Sequence, residues 1–536
     1  MRTSFFIIIC FFTTFGSSQT NSWWVFFTDK NCNSSVELSP LSLERRFQQK
    51  IPLDFYDLSL CDDYIDSLNT KSLVVRYHSR WLNAVSVDLD NLDLLLEISN
   101  YSFVSEVRPV RKLQKSPSYE LFPESPLLNI FAGHRLPASS SFAYGSSFNQ
   151  INMLGGVELH DAGFTGENIL IAVFDAGFSN VLNLPIFQYM IDNNQIQDTY
   201  DFVDGDDDVF HGSFHGTMVL STMAGFMLDS LIGTALDADY ILCRTEDSAS
   251  ETLIEEDNWA AAAEYADSIG VHIINSSLGY TILYDDTLNS HTYADMDGNS
   301  TIITNAADLA ASRGILVVNS AGNSGNNDWY YIGAPADGDS VLSVGAVDAT
   351  GNVASFSSRG PSYDGRVKPN VCAQGVFSVV ADLDSTIRVA NGTSFSSPII
   401  AGLAASLWES MPSATNMDIF DMIQESAHIF NNPNDSLGYG IPNFYQAYLN
   451  GLSVNNDIQD PISIYPNPNA GKYLYVSSSL NYASYYFLDI IDFSGRILKT
   501  LPLCSEPIDI GFLNKGIYSI NIRNDRQLVY FDKLIC

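Results

Sequence analysis

The chain has 536 residues, enough for several domains and at least one large core. Its 26 Lys and Arg against 62 Asp and Glu give a formal net charge of −36, which argues against nucleic acid and anionic membrane surfaces as partners. Charged residues make up only 16% and aromatics reach 12%, which suits an ordered, β-containing chain rather than a disordered acidic one.

Residues 1–18 read as an export signal. Arg2 gives a positive start, Phe5 to Phe15 is apolar but too short to span a membrane, and Gly16-Ser17-Ser18 offers a small-residue cleavage site before Gln19. The remaining chain is expected to be soluble and exported, with no membrane span. Of seven cysteines, Cys10 leaves with the signal. Cys32 with Cys61 and Cys504 with Cys536 are candidate pairs in an oxidising compartment, and spacing does not decide the pairing. No CxxC or His-rich cluster points to zinc.

Residues 19–113 predict a small α+β unit. Leu73-Val74-Val75, Ala84 to Val87 and Phe103 to Val110 have strand character, and Asn91 to Ser99 reads as a short helix with Asn91 as N-cap. Residues 114–147 turn Pro- and Ser-rich, the composition of an exposed, cuttable linker. Residues 148–452 alternate apolar strand runs (Ile169–Phe174, Tyr240–Arg244, Val271–Ser276, Ile315–Asn319, Val341–Val347) with helical patterns such as Trp259–Ser268 and Asn305–Arg313. That pattern predicts an α/β domain, a parallel sheet covered by helices on both faces, with its site at the carboxyl ends of the strands. Residues 461–536 predict short antiparallel strands in a C-terminal β-sandwich.

Three segments carry the chemistry. Ile171 to Gly177 is a buried strand ending in Asp175, Phe214-His215-Gly216-Thr217 starts a helix running through Ala224, and Gly392-Thr393-Ser394 precedes an apolar helical run from Ile399 to Leu407. Each residue alone has an ordinary reading: Asp175 a strand-end cap or metal ligand, His215 a packing histidine, Ser394 a helix cap. Together they supply a weak nucleophile, a base with a pKa of about 6.5 and a carboxylate to orient it. Activity should therefore fall as His215 is protonated. Asn323, in Ala321-Gly322-Asn323 after a strand, can donate to an oxyanion beside the Ser394 backbone N–H; by itself it would be a turn residue.

These segments resemble the subtilisin-like (subtilase) serine peptidases, over about residues 150–450 and in the same Asp…His…Ser order. The resemblance implies Asp175 as orienter, His215 as base, Ser394 as nucleophile and Asn323 as oxyanion donor. It also implies that Ser277-Leu278-Gly279 pairs with the substrate backbone, and that Ile332-Gly333-Ala334-Pro335 floors the primary specificity pocket, with Gly333 leaving room for a large apolar side chain. Ala176, where the family has Ser or Thr, and Asn370 and Cys372 in Lys368 to Ala373, depart from the pattern. No cofactor is implied for catalysis. Calcium, which many subtilases bind, has candidate loops at Asp204 to Asp208 and Asp295 to Asn299.

By position and pattern, residues 19–113 resemble a subtilase propeptide, cut somewhere from Val110 to Ser147. Ile464-Tyr465-Pro466-Asn467-Pro468, Leu513 to Tyr518 and Lys533-Leu534-Ile535 resemble the type A sorting domain of the type IX secretion system. The resemblance implies a precursor exported by a Gram-negative bacterium to its surface or beyond. The implied partners are protein substrates, its own propeptide and the secretion machinery, with the enzyme itself a monomer. The terminal Cys536 departs from the common ending.

Overall fold

Residues 22–32, 35–71, 73–89, 91–110, 140–248, 254–281, 290–457, 463–465, 472–477, 487–491, 496–502, 507–523 and 528–535 are described by a computed structural model. The export signal, most of the linker, Pro466 to Pro468, Cys504 and Cys536 lie outside the described residues. The chain divides into two units, Met1–Leu449 and Asn450–Cys536.

The first unit opens with Ser22–Phe27 (β1), then helices Pro40–Gln48 (α1) and Asp62–Asn69 (α2), strands Val74–Ser79 (β2) and Ala84–Asp88 (β3), helix Leu92–Ser99 (α3) and strand Val104–Val110 (β4). The strands form an antiparallel sheet in the order β2-β3-β1-β4. Asn91 caps α3 as expected, accepting from the Asp93 and Leu94 N–H groups. β1, α1 and α2 were not legible in the sequence. In β1 the reason is burial on both faces: Val25 and Phe27 pack with Leu68 and Ile98, whereas Trp24 packs with Ala84 and Ile254 of the following domain. A strand covered on both sides shows no alternation. Cys32 and Cys61 form a disulfide.

After it come helices Phe148–Asn152 (α4) and Gly156–Asp161 (α5), strand Leu170–Asp175 (β5), helix Gln188–Asp192 (α6), strand Ile196–Asp201 (β6), helix His215–Ala224 (α7), a ribbon of Phe226–Met227 (β7) with Leu231–Ile232 (β8), strand Asp239–Arg244 (β9) and helix Ile254–Ile269 (α8). Strand Ile273–Ser276 (β10), helix Ile302–Ser312 (α9), strands Leu316–Ser320 (β11), Val341–Val347 (β12) and Val371–Gln374 (β13), and a hairpin of Ser378–Ala381 (β14) with Ile387–Ala390 (β15) follow. Helices Thr393–Ser410 (α10), Asn416–Glu425 (α11) and Phe444–Asp457 (α12) close the series. Seven strands form one parallel sheet in the order β13-β12-β11-β10-β5-β9-β6.

Alternate residues of β5 feed two cores. Ile171 and Val173 pack with α7 and α10 on one face, and Leu170, Ala172 and Phe174 with α8 and α9 on the other. The edge strands β6 and β13 escaped the sequence reading because β6 is half exposed and polar and β13 has only four residues. The predicted linker also ends earlier than Ser147. Tyr144 is fully buried with Ile151, Ile232 and Leu236, and its hydroxyl lies 2.9 Å from His160 Nδ1, so the chain is already docked on the catalytic side from about Ser140.

The N-terminal sheet is seated on α8 through ionic groups. Arg46 Nη2 lies 2.9 Å from both Asp267 oxygens and 2.9 Å from Asp57 Oδ1, and Arg80 Nη2 is 2.9 Å from Asp267 Oδ2. Arg45 also bonds Asp267. Glu264 accepts from Ser79 Oγ at 2.8 Å and from the Arg80 N–H at 2.7 Å.

The second unit holds Ser463–Tyr465 (β16), Tyr473–Ser477 (β17), Phe487–Ile491 (β18), Ile497–Pro502 (β19), Ile508–Asp509 (β20), Ile517–Arg523 (β21) and Leu528–Ile535 (β22). They form sheets β16-β17-β20 and β19-β18-β21-β22. Ile464, Leu474 and Ile508 of one sheet share a core with Leu488, Ile490, Ile520 and Leu534 of the other, which is a β-sandwich. Among the described residues no helix is long and apolar enough to cross a membrane.

Candidate active site

The carboxyl ends of β5, β10 and β11 and the starts of α7 and α10 converge on one place. Asp175, the last residue of β5, is fully buried, and His215 is the first residue of α7. His215 Nδ1 lies 2.9 Å from both Asp175 oxygens. A carboxylate only accepts, so Nδ1 carries the hydrogen and, in the neutral ring, Nε2 carries the lone pair. A Cβ on Gly216 would sit 2.4 Å from Gly177 O and 2.9 Å from Asp175 Cβ, so only glycine lets α7 come this close to the strand end. The Ala176 N–H donates to Asp175 Oδ1 at 2.8 Å, a backbone bond that does not depend on the hydroxyl Ala176 lacks.

Ser394 is the second residue of α10, with 9% of its surface exposed. Its N–H is among the first four of the helix, which have no partner within it, and the helix dipole favours an anion there. The neighbouring Phe395 ring lies 5.8 Å from the His215 ring, so the turn that carries Ser394 abuts the imidazole. Ser394 Oγ directs its hydrogen to Ser277 O over a long 3.4 Å.

Asn323 follows β11. Its Oδ1 accepts from the Thr393 N–H at 2.9 Å and from Thr393 Oγ1 at 3.0 Å, which fixes the amide with Nδ2 as the remaining donor. The position of a Cβ on Gly392 lies 3.6 Å from Nδ2, placing that donor beside the turn before Ser394. Thr393 thus orients Asn323, a role its place in the motif does not reveal.

Ser277, Leu278 and Gly279 run on from β10, and Gly279 is exposed. Leu278 O accepts from Asn319 Nδ2 at 3.0 Å, and Tyr280 pairs with Ala334 through bonds of 2.9 and 3.1 Å. Gly333 therefore lies beside this segment. A Cβ there would meet Thr281 Cγ2 and Tyr280 O at 2.9 Å each. A side chain at position 333 would therefore press on Tyr280 and Thr281, so the Gly333 to Tyr280 approach depends on glycine. Burial, then Glu246, which accepts from the Tyr280 hydroxyl, pushes that phenol well above its usual range.

Lys368 is buried, and its Nζ donates to Gly338 O at 2.8 Å, Val341 O at 2.9 Å and Asn370 Oδ1 at 3.1 Å. Burial pulls its pKa down to about 7. Burial also pushes the Cys372 thiol up to about 12, which leaves it unreactive.

In the first acidic loop Asp204, with Asp201 at the end of β6, faces a guanidinium. Arg244 Nη1 lies 2.7 Å from Asp201 Oδ2 and 2.6 Å from Asp204 Oδ2, and His211 Nε2 is 3.5 Å from Asp201. The ligand atoms of Asp201, Asp204 and His211 all lie within 4.8 Å of one another, close enough to share a metal ion, and Arg244 pairs with both carboxylates. In the second loop Asp297 accepts from the Asn299 and Ser300 N–H groups at 2.9 Å each, and Asp295 Oδ2 accepts from the Thr292 N–H at 2.7 Å. Those carboxylates close turns rather than converge on a common point.

The subtilase family matches residues 166–441, the Bacteroidota propeptide domain of that peptidase class matches residues 22–121, and the secretion system C-terminal sorting domain matches residues 463–536. Subtilisin E of Bacillus subtilis (strain 168) is 27% identical over 372 residues, covering 68% of this chain and 81% of that protein. Subtilisin BL of Lederbergia lenta is 30% identical over 269 residues, covering 50% of this chain and 86% of that protein. The crystal structure of MycP1 from the ESX-1 type VII secretion system has a TM-score of 0.47 and 20% identity over 63% of this chain and 91% of that one.

The chain belongs to the subtilase family. It is a serine endopeptidase made as a precursor with its own propeptide, and its type IX sorting domain makes it a secreted or cell-surface protein.

Proposed function

We propose that peptide bonds are cleaved by Ser394, with His215 Nε2 taking the hydroxyl proton as Oγ attacks the scissile carbonyl. Asp175 holds Nδ1–H and stabilises the imidazolium. Asn323 Nδ2 and the Ser394 N–H receive the oxyanion. Collapse of the tetrahedral intermediate returns the proton to the leaving amine and leaves an acyl-enzyme on Oγ. A water activated by the same imidazole then releases the acid.

The single observation that supports this reading best is the 2.9 Å Asp175–His215 contact, because it leaves Nε2 as the basic nitrogen. The substrate backbone pairs with Ser277, Leu278 and Gly279, and Gly333 lies behind that segment. Residues 19–113 act as inhibitor and folding aid, 148–452 as the catalytic domain and 461–536 as the export signal, in a monomer that needs no metal for catalysis. Matured protein should react with a fluorophosphonate at Ser394 and clear casein, and Ser394→Ala should do neither. A folded wild-type enzyme that stays unlabelled would sink the assignment.

A further inference from the structure

Helix α10 contains a proline at its sixth position, Pro398. In an α-helix the carbonyl of residue 394 accepts from the N–H of residue 398. Proline has no N–H, so the sequence itself removes the partner of the nucleophile's own carbonyl, in a helix whose first turns are buried.

The replacement donor comes from another element. Ser277 Oγ donates to Ser394 O at 2.9 Å, and Ser277 is 6% exposed. A carbonyl oxygen only accepts, so the one hydrogen of the Ser277 hydroxyl goes to Ser394 O. The hydroxyl oxygen keeps its acceptor capacity and takes a longer bond of 3.4 Å from Asn275 Nδ2, while Asn275 Oδ1 accepts from Ser397 Oγ at 3.1 Å. In the other direction Ser394 Oγ reaches Ser277 O at 3.4 Å.

We propose that Ser277 is a positioning residue for the nucleophile. Its hydroxyl stands in for the N–H that Pro398 lacks, and so ties the first turn of α10 to the segment that pairs with substrate. This rests on the reading of Ser394 as nucleophile given above. The tie holds the Ser394 N–H and Oγ in register with Asn323 and with a peptide lying along Ser277 to Gly279. Small displacements of such groups lower the rate steeply without weakening substrate binding.

The test is a double-mutant cycle in the full chain, read by kcat and KM on a peptide substrate and by the rate of fluorophosphonate labelling at Ser394. Ser277→Ala is expected to lower kcat and labelling by about ten- to a hundredfold, with KM changed by less than about twofold. Pro398→Ala restores an N–H at position 398. Alone it should stay near wild type, and added to Ser277→Ala it should recover most of the lost rate. If Ser277→Ala accumulates as uncut precursor, the same comparison is made on the rate of propeptide cleavage.

A rise in KM at unchanged kcat would overturn the proposal, and so would a double variant no faster than Ser277→Ala. Absence of labelling in the wild type would instead overturn the assignment of Ser394 itself.

Discussion

Arg46 of the propeptide and Asp267 of the catalytic domain form a buried ion pair across the seam between them, with Nη2 2.9 Å from each carboxylate oxygen. Arg45 and Arg80 converge on the same carboxylate. Burial alone would raise its pKa, but the three arginines outweigh that and hold it below the usual range. Removing one member of such a network strands buried charge, at about 3–5 kcal/mol. Asp267→Asn should therefore shorten the lifetime of the cut propeptide on the enzyme by at least about a hundredfold. Co-elution of the two fragments on gel filtration, and the lag before activity appears, measure this. Because the pairs are buried, 1 M salt should change the wild-type lifetime little. Equal retention in the variant would show that apolar packing alone seats the propeptide.

Asp257, at the start of α8, faces the propeptide residues Trp24, Arg76 and Arg108, with Glu256 beside it on its own helix. Burial pushes its carboxyl up to about 7; Glu256 adds to this and Trp24, Arg108 and Arg76 oppose it. Burial also raises the neighbouring Glu264. In water an aspartate titrates at about 3.9. Between those values the covered enzyme binds a proton that the bare enzyme has lost, so the propeptide is held more tightly at the acidic end. The propeptide should leave faster as pH rises from about 5 toward 7, and Asp257→Asn should flatten that dependence. A lifetime independent of pH in the wild type would contradict it.

An element is legible in the sequence where one physical cause fixes one pattern. β5 and α7 were legible because a buried strand ending in a carboxylate and an apolar helix beginning with His-Gly each leave a distinct signature. β1 was hidden because it is covered on both faces, and β6 because its edge position makes it polar. The bond from Thr393 to Asn323 and the hydroxyl of Ser277 were not legible, since both depend on contacts across more than 60 residues of chain. One clue to the second was present. A proline four residues after the nucleophile announces an unpartnered carbonyl.

His160 is buried and His272 half-buried, both as neutral rings. His272 Nδ1 accepts from the Leu170 N–H at 3.1 Å, and His160 lies between the Tyr144 hydroxyl and Thr234 O. Burial lowers both pKa values to about 4. The unfolded chain takes up these protons at about 6.5, so stability present above that pH is lost as pH falls toward 4. Urea midpoints should drop over this window. His160→Gln should be less stable at pH 7 but lose less between pH 6.5 and 4.5. An identical pH slope would exclude His160 as a contributor.

Arg244 occupies the acidic loop where calcium was a candidate. Chelator should leave the activity and melting temperature of the wild type unchanged. Arg244→Ser uncovers Asp201 and Asp204 beside His211, and should lower the melting temperature by several degrees through their mutual repulsion, with millimolar calcium restoring part of it. A wild-type enzyme inactivated by chelator would place a structural cation elsewhere.

Asn323 and Thr393 separate a donor from the group that aims it. Asn323→Ala removes the Nδ2 donor, which acts only once the oxyanion forms, so kcat should fall by about 10²–10³ with KM nearly unchanged. Thr393→Val keeps the backbone N–H that holds Asn323 Oδ1 at 2.9 Å but loses the hydroxyl bond at 3.0 Å. The amide then retains one of its two anchors, and kcat should fall by only about three- to tenfold. In the double variant the hydroxyl has nothing left to orient, so Thr393→Val should add almost nothing to Asn323→Ala. Steady-state kinetics on one peptide substrate measure all three. Fully multiplicative losses would mean that Thr393 acts independently of Asn323.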